Sequence, residues 1–183
     1  MSIYTNSASS TPDETAAYVA GLLGLLGEKD PVEVLRKTPS ALEEFLDTVP
    51  AQILTVPEAP GKWAIRDVLA HLADSELMGG VRLRMVLAQD RPALIGYDQD
   101  LWSDRLRYAE VDVRRALEQF SVLRRSNLRL WENLSPADLK RVGLHNERGE
   151  ESLEHMRNLY AGHDMLHLNQ LERIRKAVTA ASS

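Results

Sequence analysis

Apolar residues recur every three to four positions along most of the chain, the period of amphipathic helices. Residues 12–26 carry Val19, Leu22, Leu23 and Leu26, and residues 31–48 carry Leu35, Leu42, Phe45 and Leu46. Longer stripes follow. Residues 64–89 hold Ile65, Val68, Leu69, Leu72, Leu83 and Leu87, and residues 111–134 hold Val113, Leu117, Phe120, Leu123, Leu130 and Leu134. The last stripe, over 151–178, runs through Leu153, Met156, Tyr160, Leu171, Ile174 and Val178. Helix starts are punctuated alike. Thr11-Pro12-Asp13-Glu14 has the form of a capping box with proline at the first helical position. Asp30-Pro31-Val32-Glu33 repeats it, and Ser135-Pro136-Ala137-Asp138 begins a short helix. Pro39 is expected to break the second helix, with Thr38-Pro39-Ser40 restarting it. Strand signals are weak, with no Asn-Gly or Asp-Gly turn. The pattern predicts an all-α protein, an antiparallel four-helix bundle with an additional N-terminal helix.

One connection stands out. Arg91 to Tyr108 contains Pro92, Gly96, two tyrosines and Trp102, and an aromatic loop of that length in a compact domain is more often functional than idle. Residues 1–10 and 179–183 are small and polar and read as flexible tails around a single domain over 11–178.

Composition narrows the chemistry. The chain has 183 residues, 22 Lys plus Arg against 27 Asp plus Glu, five His and no Cys. A net charge of −5 leaves no basic footprint for nucleic acid. Without cysteine there is no disulfide scaffold, iron–sulfur cluster or thiol nucleophile, so any transition metal must be held by imidazole and carboxylate. No apolar run reaches membrane-spanning length, no long helix has a basic polar face, and the N-terminus lacks a signal-peptide pattern. A cytoplasmic protein with no membrane partner is expected.

Two of the histidines sit where leucine would be easier. The last stripe passes through His163 and His167, four residues apart, so their rings lie about 40° apart and roughly 6 Å along one helix face. That spacing lets two imidazoles reach one ion. It serves equally for two partly buried histidines hydrogen-bonded to neighbours. Position 164 is Asp and 166 is Leu, which removes the His-Glu-x-x-His of zincin proteases. A third ligand must come from another helix. His71 is the candidate, on a polar stripe through Ser75, Met78 and Arg82 with Asp74 at its flank; alone it fits the cap of a polar patch as well. His145, beside Asn146, and His155 read as solvated or as neighbours of a ligand.

Together these residues resemble the DinB superfamily, and within it the YfiT-like branch. Gly61-Lys62-Trp63-Ala64-Ile65-Arg66-Asp67-Val68-Leu69-Ala70-His71-Leu72-Ala73-Asp74-Ser75-Glu76 resembles the start of the family's second bundle helix. Leu159-Tyr160-Ala161-Gly162-His163-Asp164-Met165-Leu166-His167-Leu168-Asn169-Gln170 resembles its last helix, and Arg82 to Trp102 its loop. The resemblance spans roughly residues 39–175. It implies a four-helix bundle in which His71, His163 and His167 hold nickel or zinc. It also implies a homodimer, and an activity described for members as metal-dependent hydrolysis or thiol S-transfer with a low-molecular-weight thiol such as bacillithiol or mycothiol. Ala70 and Leu166 stand where the branch often has further histidines, and Glu76 and Asp164 also replace residues common there. The helix over 12–26 and the 31–37 turn look like lineage additions or a dimer-packing element.

The expected function is that of an enzyme acting on a small molecule. A metal with an open position lowers the pKa of bound water or thiol, which serves hydrolysis or S-transfer. Asp74 would orient an imidazole or accept a proton, or is a surface carboxylate. Arg82 would hold a substrate anion, or snorkels at the bundle's edge. Tyr97 and Trp102 would wall a pocket, or anchor the loop. Asn127 interrupts the stripe Leu123-Asn127-Leu130, so it faces the cavity or sits just off the seam. Trp63 packs at its helix start. The alternative is a metal-stabilised bundle without turnover, a stress-linked binding protein.

Overall fold

The computed structural model describes residues 11–181. Seven α-helices are present among them: α1 (Pro12–Leu26), α2 (Pro31–Thr48), α3 (Ile65–Ala88), α4 (Gln99–Arg105), α5 (Val113–Trp131), α6 (Pro136–Leu139) and α7 (Leu153–Ala181). The N-terminal tail assigned to 1–10 lies outside the described residues, as do Ser182 and Ser183. The expected caps form. The Thr11 hydroxyl accepts from the Glu14 N–H while the Glu14 carboxylate accepts from the Thr11 N–H. The Asp30 carboxylate accepts from the Val32 and Glu33 N–H groups. Ser135 and Asp138 cap α6 in the same reciprocal way.

Helix α2, by contrast, runs unbroken through Pro39. Proline removes the N–H that would bond the carbonyl four residues back, that of Leu35. The structure supplies a replacement: Arg124 of α5 donates from Nη1 to the Leu35 carbonyl at 2.9 Å. The lost helical bond is exchanged for a bond between helices, so the expected break does not occur.

The bundle is a ring. Helix α2 packs on α5 and α7, and α3 packs on those same two. Sequential α2 and α3 therefore face each other across the diagonal, and the linker 49–64 crosses one end. Helix α1 packs on α7 of its own chain. The fit there is close, because a Cβ on Gly162 would lie 2.3 Å from the Leu22 carbonyl oxygen.

Two additions were not foreseen. The 91–108 connection folds into a strand β1 (Ala93–Leu94), helix α4 and a 3-10 turn (Tyr108–Glu110). Before α7, strands β2 (Val142–His145) and β3 (Gly149–Ser152) form an antiparallel hairpin with His145 opposite Gly149, and β1 pairs parallel to β2. These strands have two to four residues, too few for alternation to register. The turn relies on Gly149 at φ +76° instead of an Asn-Gly pair.

The core has two large apolar halves, and a smaller cluster of Leu22, Leu159 and Leu166 lies between α1 and α7. One joins Leu42, Leu46, Ile65, Leu69, Phe120, Leu171 and Ile174. The other joins Leu35, Leu83, Val86, Trp131, Leu153 and Met156. Between them, α3, α5 and α7 each place polar groups inward: His71 to Arg82, Arg124 and Asn127, and His163 to His167. The functional candidates occupy this polar waist.

Candidate metal centre

Helix α3 supplies His71, and α7 supplies His163 and His167 from successive turns. The two helices are neighbours in the ring, which brings the three rings together. His163 Nε2 lies 3.1 Å from His71 Nε2 and 3.0 Å from His167 Nε2. The three ligand atoms lie within 4.8 Å of one another. His71 is 2% exposed, His167 5% and His163 9%. Trp63 packs its ring 4.9 Å from that of His71.

Burial sets the charge state. It holds His71 and His163 well below the ordinary histidine range, with the neighbouring imidazoles adding to the effect. His167 is pushed down to about 4 by burial, against the opposing pull of Gln170 and Asp164. All three rings are neutral at pH 7. The His167 Nδ1–H is placed to donate to Gln170 Oε1 at 2.7 Å, which leaves its Nε2 a lone pair. His163 Nε2 faces both other rings and can donate to only one of them. Buried His71 Nδ1 has no partner. Three neutral imidazoles with lone pairs converging on one point, and no thiolate, fit a divalent transition ion. Nitrogens at about 2.0–2.1 Å from a tetrahedral ion sit about 3.3 Å apart, close to the two separations that His163 makes.

The rings open onto two clefts. His71 and His163 line one, together with Ser75, Arg82, Tyr97 and Tyr160. His167 and Gln170 line the other with Trp63, Asp67, Asp104 and Arg173.

The remaining sequence candidates separate. Arg82 is buried in the first cleft, bonded to the Ile95 carbonyl at 2.5 Å and to the Tyr160 hydroxyl at 3.4 Å. Tyr97 walls that cleft, and burial pushes its hydroxyl up to about 12. Trp102 stacks behind Tyr97 at 4.2 Å between centroids. Half-buried Asp74 accepts from the Tyr108 hydroxyl at 2.7 Å; burial raises its pKa against that bond. Asn127 lies off the cleft. Its amide donates to Glu76 Oε1 at 2.7 Å and to the Glu76 carbonyl, and accepts from Arg84. His145, expected in solvent or beside a ligand, is 3% exposed at the end of β2, where its Nδ1 accepts from the Glu147 N–H. The hairpin buries it, and that burial lowers its pKa to about 4.

Sequence reasoning missed the second buried constellation. Arg124, 1% exposed, bonds both oxygens of Asp164 at 2.5 and 3.0 Å and Glu76 Oε2 at 2.8 Å. Burial opposes its charge, but the two carboxylates more than compensate and hold its pKa above the usual range. The signal was present: Arg124 falls in the apolar register Leu117-Phe120-Arg124-Leu128-Trp131. Trp63 and Gln170, which flank the rings, carried no comparable signal.

A buried three-histidine centre between adjacent helices of a four-helix bundle defines the class, and the sequence profile of the DinB superfamily matches residues 35–171. The chain belongs to that superfamily. YfiT of Bacillus subtilis is 27% identical over 146 residues, 78% of this chain and 82% of that protein. A protein of Oceanobacillus iheyensis is 29% identical over 116 residues, 63% of this chain and 67% of its own. Both bear the name "putative metal-dependent hydrolase". The solved structure of YfiT, described as a probable metal-dependent hydrolase with an unusual four-helix bundle topology, superposes with a TM-score of 0.76 at 22% identity. It covers 96% of this chain and 94% of that one.

Proposed function

We propose that this protein is a metal-dependent enzyme in which His71, His163 and His167 hold one nickel or zinc ion and the first cleft admits a small-molecule substrate. A divalent ion held by three imidazoles acts as a Lewis acid that makes water or a thiol nucleophilic at neutral pH. Water would give hydrolysis and a low-molecular-weight thiol would give S-transfer. The absence of cysteine means that such a thiol must arrive from outside. One observation carries the catalytic reading over a non-catalytic metal-holding bundle: His71 and His163 line an open cleft together with groups able to bind a substrate.

The surrounding residues have distinct tasks. Gln170 fixes the His167 ring so that Nε2 faces inward. Trp63 covers His71 and excludes water from that side. Asp74 holds Tyr108 beside Trp63, 6.3 Å between centroids, and so positions that cover. Tyr97, backed by Trp102, shapes the substrate wall.

The test joins metal analysis to a paired screen. Protein reconstituted with zinc or nickel should bind one ion per chain, and should act in a thiol-dependent conjugation screen or in an ester and amide hydrolysis screen. His163→Ala should lose both properties. Full metal loading with no activity in either screen would leave the binding-protein reading; less than one ion per chain after reconstitution would overturn the metal centre itself.

A further inference from the structure

The first cleft contains a cation whose partners are all neutral. Arg82 is 7% exposed and lines the cleft. Its Nη2 donates to the Ile95 carbonyl and its Nη1 to the Tyr160 hydroxyl. Its Nε has no hydrogen-bond partner, and Arg82 belongs to none of the ion pairs among the described residues. Two other enclosed arginines, Arg124 and Arg148, differ. Arg124 has two carboxylates, and Arg148 in the same cleft has Glu151 at 2.6 and 3.0 Å. A buried guanidinium is costly unless a counter-charge compensates it. Here none is provided by a protein hydrogen bond. Gln99 lines the same cleft, and its Nε2 is likewise buried without a partner. Two unused N–H donors, one of them cationic, describe a receptor for a group that only accepts. Glu147 also lines the cleft with its carboxylate against Gly96, while the Arg82 hydrogen bonds go to the Ile95 carbonyl and the Tyr160 hydroxyl.

The position of Arg82 gives the ligand a length. It follows His71 by eleven residues, about 16 Å along the helix axis, and an arginine on a helix leans back toward the N-terminus. Ser75 lies between, on the cleft wall with Tyr97. The Tyr97 ring is 5.9 Å from the guanidinium. Val19, Leu22, Met156 and Leu159 line the same cleft and supply apolar surface.

We infer that Arg82 and Gln99 form a carboxylate subsite, so that the substrate class is a small carboxylic acid whose reacting group lies several bonds from the carboxylate. This deepens the metal-enzyme reading and rests on it for the reacting end only. A planar carboxylate matches the edge of a guanidinium better than a point charge does.

The experiment separates the subsite from the metal. Hexanoate, hexanamide and methyl phosphate are titrated calorimetrically into metal-free and zinc-loaded protein. Hexanoate should bind both forms, at least tenfold tighter than hexanamide and tighter than methyl phosphate. Arg82→Gln should weaken hexanoate at least tenfold and abolish the preference over the amide, while Arg82→Lys restores part of it. Gln99→Leu should weaken hexanoate several-fold, and it decides the matter if Arg82→Gln does not fold. Hexanoate bound only when zinc is present would make the ion the receptor and overturn the subsite. Equal binding to wild type and Gln99→Leu, or no discrimination from the amide or phosphate, would overturn it too. Failure of the metal reading would show instead as missing zinc with hexanoate binding intact.

Discussion

At the scale of single residues, burial decides the chemistry. A solvated histidine is largely neutral at pH 7 but charges near pH 6.5. His71, His163 and His167 are kept neutral well below that, so the site is ready for a cation without first losing protons. His167→Ala should therefore lower zinc affinity by two or more orders of magnitude in a competition titration with a chromophoric chelator. His155→Ala, on the same helix but outside the cluster, should leave it unchanged; equal losses would refute the ligand set. The three histidines were legible because a seam position filled by a polar side chain is itself a signal. Arg124 meets the same criterion, but its seam position carries no sign of Glu76 and Asp164, the carboxylates on two other helices that make its burial tolerable. Trp63 stands two residues before α3. Its contact with His71 depends on the neighbouring turn and on Tyr108, 45 positions away, which no local pattern encodes.

At the scale of elements, Pro39 and Arg124 are one device on two helices. Replacing Arg124 by Met leaves Glu76, Asp164 and the Leu35 carbonyl without it, a loss of about 3–5 kcal/mol. In a Pro39→Ala background the restored N–H bonds the Leu35 carbonyl, so the same substitution should cost about 1 kcal/mol less. Urea unfolding of the four proteins in this cycle measures the difference; additive costs would refute the exchange. Helix α1 offers a second case. Gly162→Ala pushes a methyl group against the Leu22 carbonyl and should destabilise by about 1–3 kcal/mol, read as a lower Tm and faster proteolysis of α1. The helices themselves were legible from period and caps. The hairpin was not, because strands this short owe their pairing to α3 and α7 packed beside them.

At the scale of the molecule, metal and proton compete for the folded state. An ion that binds only the native site stabilises it by about 4 kcal/mol at a thousandfold excess over Kd, so zinc should raise the Tm measured by calorimetry. The sign of the pH dependence follows from the lowered pKa values. Below pH 6.5 the unfolded chain takes up protons that buried His145 and His167 refuse until about pH 4. Metal-free protein should thus lose stability as pH falls across that window. The zinc increment in Tm should stay level from pH 8 to 6 and shrink toward pH 4; an increment halved already at pH 6.5 would contradict neutral, buried ligands. No helix among the described residues is long and apolar enough to cross a membrane.

The diagonal placement of α2 and α3 also sets the order in which the chain assembles. Contacts of α2 with the rest of the ring span great sequence distances: Arg114 to Asp47 across 67 positions, Arg124 to Leu35 across 89, and Arg36 to Glu132 across 96. Closing such loops is entropically slow, whereas α3 and α5 meet across a smaller separation, Arg84 to Asn127 over 43 positions, and pair earlier. Helix α2 has no early partner next to it in sequence. Until α5 and α7 have both formed, its face of Leu35, Leu42 and Leu46 stays in water. A nascent chain leaving the ribosome carries that face exposed through the synthesis of about a hundred further residues, the interval in which a holdase chaperone has most to grip.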